Sequence, residues 1–295
     1  MLKTIQKIFF LGAFGLLISA TVSGSHSYRF RVYLKDKGNT GYSIDRPEEF
    51  LSKEALERRA QRKVAVTSSD IPISESYIDS LSSTGAEPVA QSKWMSTVVM
   101  NSPDSLVVDK LKALSFVDSV KWVWKGEADY PKNLEPDTSK FYPSDLPVAN
   151  YYGQADSQIS MLNGVKLHQA GFRGQGMRIA VIDAGFQNVN RISVFDSLRL
   201  LGTKNIVSPG QSVYESDDHG TKVLSCMAAN SPGVMVGTAP DASYWLIKSE
   251  DNRSEFPVEE DYWVAAVEFA DSVGVDVITS SLGYFMFDTE DSVYS

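Results

Sequence analysis

The spacing of hydrophobic positions changes period along the chain and divides it into segments. From Tyr28 to Leu34, Phe30, Val32 and Leu34 alternate with Arg29, Arg31 and Tyr33. A period of two predicts a strand with one buried face. Ser52 opens a helical pattern, with Glu54 in the first turn and Arg58, Arg59 and Arg62 later, the charge order a helix dipole favours. A short helix is predicted over Ser74 to Leu81, and strands near Ala86 to Gln91 and Trp94 to Asn101. Ser102-Pro103 is expected to cap another helix, with Val107, Leu111 and Leu114 on one face. The last strand, Val117 to Trp124, would place Val120, Trp122 and Trp124 on one side. This order of strands and helices is the split βαβ, ferredoxin-like α+β pattern, which carries no function by itself.

Periodicity then breaks. Lys125 to Ser157 holds Pro131, Pro136, Pro143 and Pro147 among many polar residues, and reads as an exposed linker. From Gln158 the texture is different. A helix is predicted over Gly164 to Ala170, ending at Gly171, and Met177 to Ile182 is an apolar run broken only by Arg178. Such a run suits a strand buried on both faces, as in a parallel sheet. Tyr244 to Ile247 and Val275 to Ile278 look similar. Between them Val258 to Val273 reads as a helix, started by Glu259, Glu260 and Asp261, lined by Trp263, Ala266, Val267 and Ala270, and closed by Gly274. Strands alternating with helices predict an α/β parallel sheet with helices on both faces.

The ends and the composition narrow the setting. Lys3 and Lys7 precede the short apolar run Ile8 to Ile18, and small residues follow, the pattern of a secretory leader. The run is shorter than the ~20 residues of a spanning helix, so no stable membrane span is expected and the product would be secreted or periplasmic. The chain has 295 residues, 43% of them hydrophobic and 22% charged, with a net charge of −9. That is a globular composition, and its acidity argues against nucleic acid as a partner. Cys226 is the single cysteine, so no internal disulfide is expected; its place in the apolar run Val223 to Ala229 suggests a small buried side chain.

Two residues could carry chemistry. Asp183 directly follows the Met177 to Ile182 strand, at the carboxyl end where parallel sheets gather their active groups. His219 stands in Asp217-Asp218-His219-Gly220-Thr221, before the helix predicted over Val223 to Ala229, and Gly220 would let a substrate backbone come close. Each alone reads equally well as structural: a turn aspartate, a satisfied histidine. Their order along the chain fits one of the three arrangements of the Ser-His-Asp triad.

At this point a resemblance becomes specific. Gly174 to Gly185 (GQGMRIAVIDAG) resembles the aspartate motif of the subtilisin-like serine peptidases, the subtilase family. His219 to Ala229 resembles its histidine motif, Gly237 to Ala242 its G-x-A-P-x-A segment, and Val275 to Gly283 the strand that lines its substrate groove. The segments Asp45 to Phe50 and Tyr262 to Ala266 resemble a Bacteroidetes-type branch of that family. The resemblance implies a leader at 1–24, a ferredoxin-like propeptide at 25–125, a linker at 126–157, and the N-terminal part of a subtilisin-like catalytic domain at 158–295. It implies that Asp183 orients His219, that His219 is the general base, and that Ser281, Leu282 and Gly283 offer a backbone edge to an extended peptide. The partners implied are a peptide or protein substrate and the chain's own propeptide. No cofactor or metal site is expected; calcium occurs in the family, with no residues assignable to it here.

Two positions depart from the family pattern. Ala184 stands where a Ser or Thr is usual, and no Gly-Thr-Ser motif occurs. The nucleophile is therefore expected beyond this sequence, and the chain as given is expected to be inactive. Other readings are weaker. An aspartic peptidase needs a second Asp-Thr-Gly-like loop. A metallohydrolase on Asp183, Asp217, Asp218 and His219 lacks further ligands. Gly171, Gly174 and Gly176 precede their strand, whereas a dinucleotide fingerprint follows one. The chief competitor is a secreted, catalytically inactive binding or inhibitory protein derived from a truncated subtilase.

Overall fold

The computed structural model describes residues 26–127, 150–215, 217–284 and 287. The expected leader and residues 128–149 of the expected linker lie outside them.

The first unit runs β1 (His26–Leu34), α1 (Lys53–Arg62), α2 (Glu75–Ser82), β2 (Glu87–Ser92), β3 (Thr97–Ser102), α3 (Val107–Lys112) and β4 (Val117–Glu127). Its strands form an antiparallel sheet in the order β2-β3-β1-β4. The alternation of β1 does what its period dictates: Phe30, Val32 and Leu34 join Val98 and Met100 of β3, and pack against Leu81, Val107 and Leu111 from the helices. Ser52 caps α1, its hydroxyl accepting from the Ala55 N–H at 3.1 Å. Ser102 does not cap α3. Its hydroxyl accepts from Asp104 N–H, and Asp104 in turn accepts from Leu106 N–H, so two side-chain turns delay the helix to Val107.

β4 also departs from strict alternation. Arg29 of β1 lies opposite Trp124, and the next residue, Phe30, lies opposite Trp122, so Val123 is an extra residue in the ladder. This bulge separates the two tryptophans. Val120 and Trp122 pack with the first core, whereas Trp124 belongs to a second core on the opposite face.

The second unit runs α4 (Asp156–Met161), α5 (Gly164–Gln169), β5 (Arg178–Asp183), β6 (Arg199–Asn205), α6 (His219–Ala228), the short pair β7 (Asn230–Ser231) and β8 (Met235–Val236), β9 (Ser243–Lys248), α7 (Val258–Ser272) and β10 (Val277–Ser280). Its main sheet is parallel, in the order β10-β5-β9-β6. The continuous apolar run of β5 is explained by its two faces: Ala180 and Ile182 pack towards α7, Ile179 and Val181 towards α6. β6 carries no apolar signature because most of it is exposed on an edge. Before α4, Tyr152 and Ala155 are buried against Ile159 and Val236, so this end of the expected linker packs on the second unit. Cys226 lies on the outer face of α6 and is exposed, contrary to the sequence expectation.

The two sheets clasp α7 between them. Val99, Val123 and Trp124 of the first unit share one core with Tyr262, Ala266 and Ala270 of α7. The arginines of β1 therefore face a protein surface: Arg31 pairs with Asp261 at 2.6 Å, and Arg29 donates to the Tyr262 hydroxyl and lies over the Trp124 ring. Glu268 receives Ser92 Oγ–H and the N–H groups of Lys93 and Trp94 at the β2–β3 turn. At the far end of α7, Ser52 N–H donates to Ser272 O, Arg58 donates to Val275 O, and both Arg58 and Arg59 pair with Asp271. The Ser52 N–H thus meets one of the carbonyls that a helix C-terminus leaves without partners.

Candidate active site

β5 is a central strand, so its carboxyl end is enclosed. Asp183, its last residue, is wholly buried. His219 is the first residue of α6 and half exposed, one position inside the helix where the sequence pattern suggested a place just before it. The two side chains meet: His219 Nδ1 lies 2.8 Å from Asp183 Oδ1. The same carboxylate oxygen accepts the Ala184 N–H at 2.8 Å. Burial pushes the Asp183 carboxyl above its ordinary pKa, opposed by the hydrogen bonds from His219 and Ala184.

Gly220 makes this approach sterically feasible. A Cβ there would collide with the Gly185 carbonyl oxygen and crowd the Asp183 Cβ and the Phe186 ring. Its missing side chain therefore serves helix-to-turn packing, and a role in admitting substrate is not needed to explain it. Gly237 plays a comparable part, since a Cβ would strike the Met227 backbone. The segment from Gly237 then closes the end of α6: the N–H groups of Gly237, Thr238 and Ala239 donate to Ala229, Cys226 and Met227.

The start of α6 is held from a second side. Asp217 Oδ1 accepts the His219 N–H at 2.7 Å, and its other oxygen accepts from Asn252, in the loop after β9. Asp218 pairs with Lys222 on the outside of the helix. The acids flanking His219 thus have partners of their own. Among the described residues no group of three or more His, Cys, Asp or Glu side chains is arranged to hold a metal ion.

Ser281, Leu282 and Gly283 follow β10. Ser280 is in register with Ile182, which sets Ser281 level with Asp183 at the same sheet end. Leu282 packs on the α7 core, and Trp263 Nε1–H donates to Ser280 Oγ at 2.9 Å. Nearby, Tyr284 donates to Glu250, which sits with Glu259 in a buried acidic group. Sequence reasoning missed this group, reading Glu259 only as a helix-start charge.

Residues 174–294 match the subtilase family, and residues 29–140 match the peptidase S8 propeptide domain of Bacteroidota. Residues 174–294 are thus a subtilase-family segment. The chain is 32% identical to subtilisin E of Bacillus subtilis strain 168 over 156 residues, 52% of this chain and 39% of that protein. It is 32% identical over 127 residues to a thermostable alkaline protease of Halalkalibacterium halodurans, covering 42% of this chain and 33% of the relative. The match thus spans about two fifths or less of these curated relatives. Among solved structures it resembles an epidermin leader peptide processing serine protease from Staphylococcus aureus, with a TM-score of 0.43, 12% identity, 85% of this chain and 49% of that one covered. The subtilase fold assignment agrees with the parallel sheet, and the propeptide match with the antiparallel sheet clasping α7. No helix among the described residues is long and apolar enough to cross a membrane.

Proposed function

We propose that this chain is the propeptide and N-terminal catalytic portion of an exported serine endopeptidase, whose nucleophilic serine is contributed by sequence beyond Ser295. The single observation that carries the reading is the 2.8 Å contact between His219 Nδ1 and the wholly buried Asp183, at the carboxyl end of a parallel strand. With Nδ1 engaged, Nε2 is the nitrogen left to act. Asp183 holds the ring in that tautomer and stabilises its cation, so that His219 takes a proton from the serine hydroxyl and returns it to the leaving amine. Ser281 follows on from β10 level with Asp183, with Leu282 and Gly283 next in the chain, which supports their use as a backbone edge for an extended peptide. The first unit acts as intramolecular chaperone and inhibitor; its many contacts with α7 support that role. The leader at 1–24 directs export to the periplasm or the outside.

The test has two stages. The coding sequence is read past the Ser295 codon, where a Gly-Thr-Ser motif is expected. In the full-length protein, His219→Ala abolishes cleavage within residues 126–157 and turnover of casein. Undiminished processing in that variant removes His219 from the mechanism, and a stop codon directly after Ser295 leaves a binding or inhibitory protein.

A further inference from the structure

A buried ammonium lies under the Asp183–His219 pair, and the triad roles make no use of it. Lys248 ends β9 in register with Asp183 on β5, and is only 6% exposed. Among the described ion pairs none includes Lys248. Its Nζ instead donates to two main-chain oxygens, those of Ala184 and Glu250, the latter at 2.5 Å. Burying a lysine without a carboxylate at bonding distance is costly, and such a site persists when it fixes something. Burial lowers the Lys248 pKa, with Asp251 and Asp217 pulling upwards and Arg253 downwards.

Both carbonyls lead back to the pair. Ala184 is the residue whose N–H donates to Asp183 Oδ1, the oxygen that also meets His219. Pinning the Ala184 carbonyl fixes the other end of the same residue, and so the direction of that N–H. Ser249 N–H adds to the clamp by donating to Asp183 O at 3.1 Å. Glu250 begins the loop that carries Asn252, which donates to Asp217, which in turn accepts the His219 N–H. One ammonium therefore grips the aspartate turn and the strap that steadies the histidine.

We propose that Lys248 is a positioning residue for the Asp183–His219 pair, fixing the Ala184 turn that aims the carboxylate and the 249–252 strap that holds the start of the histidine helix. The inference rests on the Asp–His reading above but not on catalysis, and its test needs no activity. Proton NMR of the whole 295-residue chain reads the far-downfield His219 Nδ1–H resonance, assigned by its loss in His219→Ala. The resonance is expected in the wild type and in Lys248→Arg, and is expected to be lost to solvent exchange in Lys248→Met at unchanged far-ultraviolet circular dichroism. An unshifted, equally protected resonance in Lys248→Met overturns the proposal and leaves the Asp–His reading intact. Its absence from the wild type overturns both. If Lys248→Met does not fold, Lys248→Gln decides: the resonance is expected to be lost to solvent exchange there too, and an equally protected resonance overturns the proposal.

Discussion

At the scale of single residues, the site depends on atoms that are absent as much as on those present. Gly220 admits the Gly185 carbonyl and the Asp183 turn into the space where a side chain would stand. Gly220→Ala is expected to destabilise the chain by about 1–3 kcal/mol, the usual cost of overpacking. Urea unfolding measures this; a midpoint equal to that of the wild type would show that the helix and turn can part freely. Asp183 and His219 were legible because the sequence around each is local and distinctive. Lys248 was not, because a lysine in an apolar strand gains its meaning only from the neighbouring strand in register with it. Cys226 illustrates the opposite error: an apolar run suggested burial, but a helix has an outer face, and Cys226 is on it.

Among the elements, α7 is the hub, packed by two sheets and gripped at its C-terminal end by α1. Arg59 bridges Asp70 and Asp271, at 2.8 and 2.5 Å, with its side chain only 8% exposed. Burial would raise the Asp70 carboxyl, but the Thr67 N–H and the Arg59 guanidinium outweigh it and hold Asp70 below its ordinary pKa. Removing the arginine leaves both acids without the cation they share. Arg59→Met is therefore expected to cost about 3–5 kcal/mol in denaturant unfolding, as when one member of a buried pair is lost. A loss inside the ~0–1 kcal/mol range of surface pairs would mean that α1 is not a latch. The β4 bulge belongs to this scale as well. Deleting Val123 removes the bulge, leaves Trp124 opposite Arg29 on the α7 side, and takes the buried Val123 side chain out of the core shared with α7. The expected outcome is faster proteolysis of the first unit at unchanged secondary structure, followed by limited trypsin digestion; equal digestion rates would contradict it.

For the whole molecule, buried acid sets the pH response. Burial, before any neighbour, raises Glu250 to about 7 and Glu259 to about 9, from an ordinary 4.5. Burial likewise raises Asp261 to about 6, despite the Arg31 guanidinium beside it. Each folded-state pKa lies above the unfolded one, so the folded chain holds more protons through this interval. The contribution of these groups to stability is complete below about pH 3.8, the ordinary value of the aspartate, and is lost as pH rises through 6, 7 and 9. Thermal unfolding of the chain is therefore expected at a higher temperature in mild acid, below the Asp261 value, than in alkali at the Glu259 value, and Glu259→Gln is expected to flatten that slope. A melting temperature that climbs across the same interval would contradict the assignment of protons to this cluster.

Many of the elements, though not the exposed β6, and the two residues Asp183 and His219 that the fold pairs could be read from the chain before any contact was known. Hydrophobic period dictates which side of a strand or helix seeks a core, so β1, β5, α7 and the ferredoxin-like order were all legible. The motifs around Asp183 and His219 were legible for a related reason: the turn, the glycine and the helix start are neighbours in the chain. What meets the polar faces was settled only by the packing of one unit on the other. The arginines of β1 read as a solvent face, yet Arg31 meets Asp261 across 230 positions of sequence. The acids of α7 read as helix-start charges, yet Glu259 is 2% exposed. A charged residue specifies only that it needs water or a partner; which one it receives depends on packing between units, and no local period encodes it.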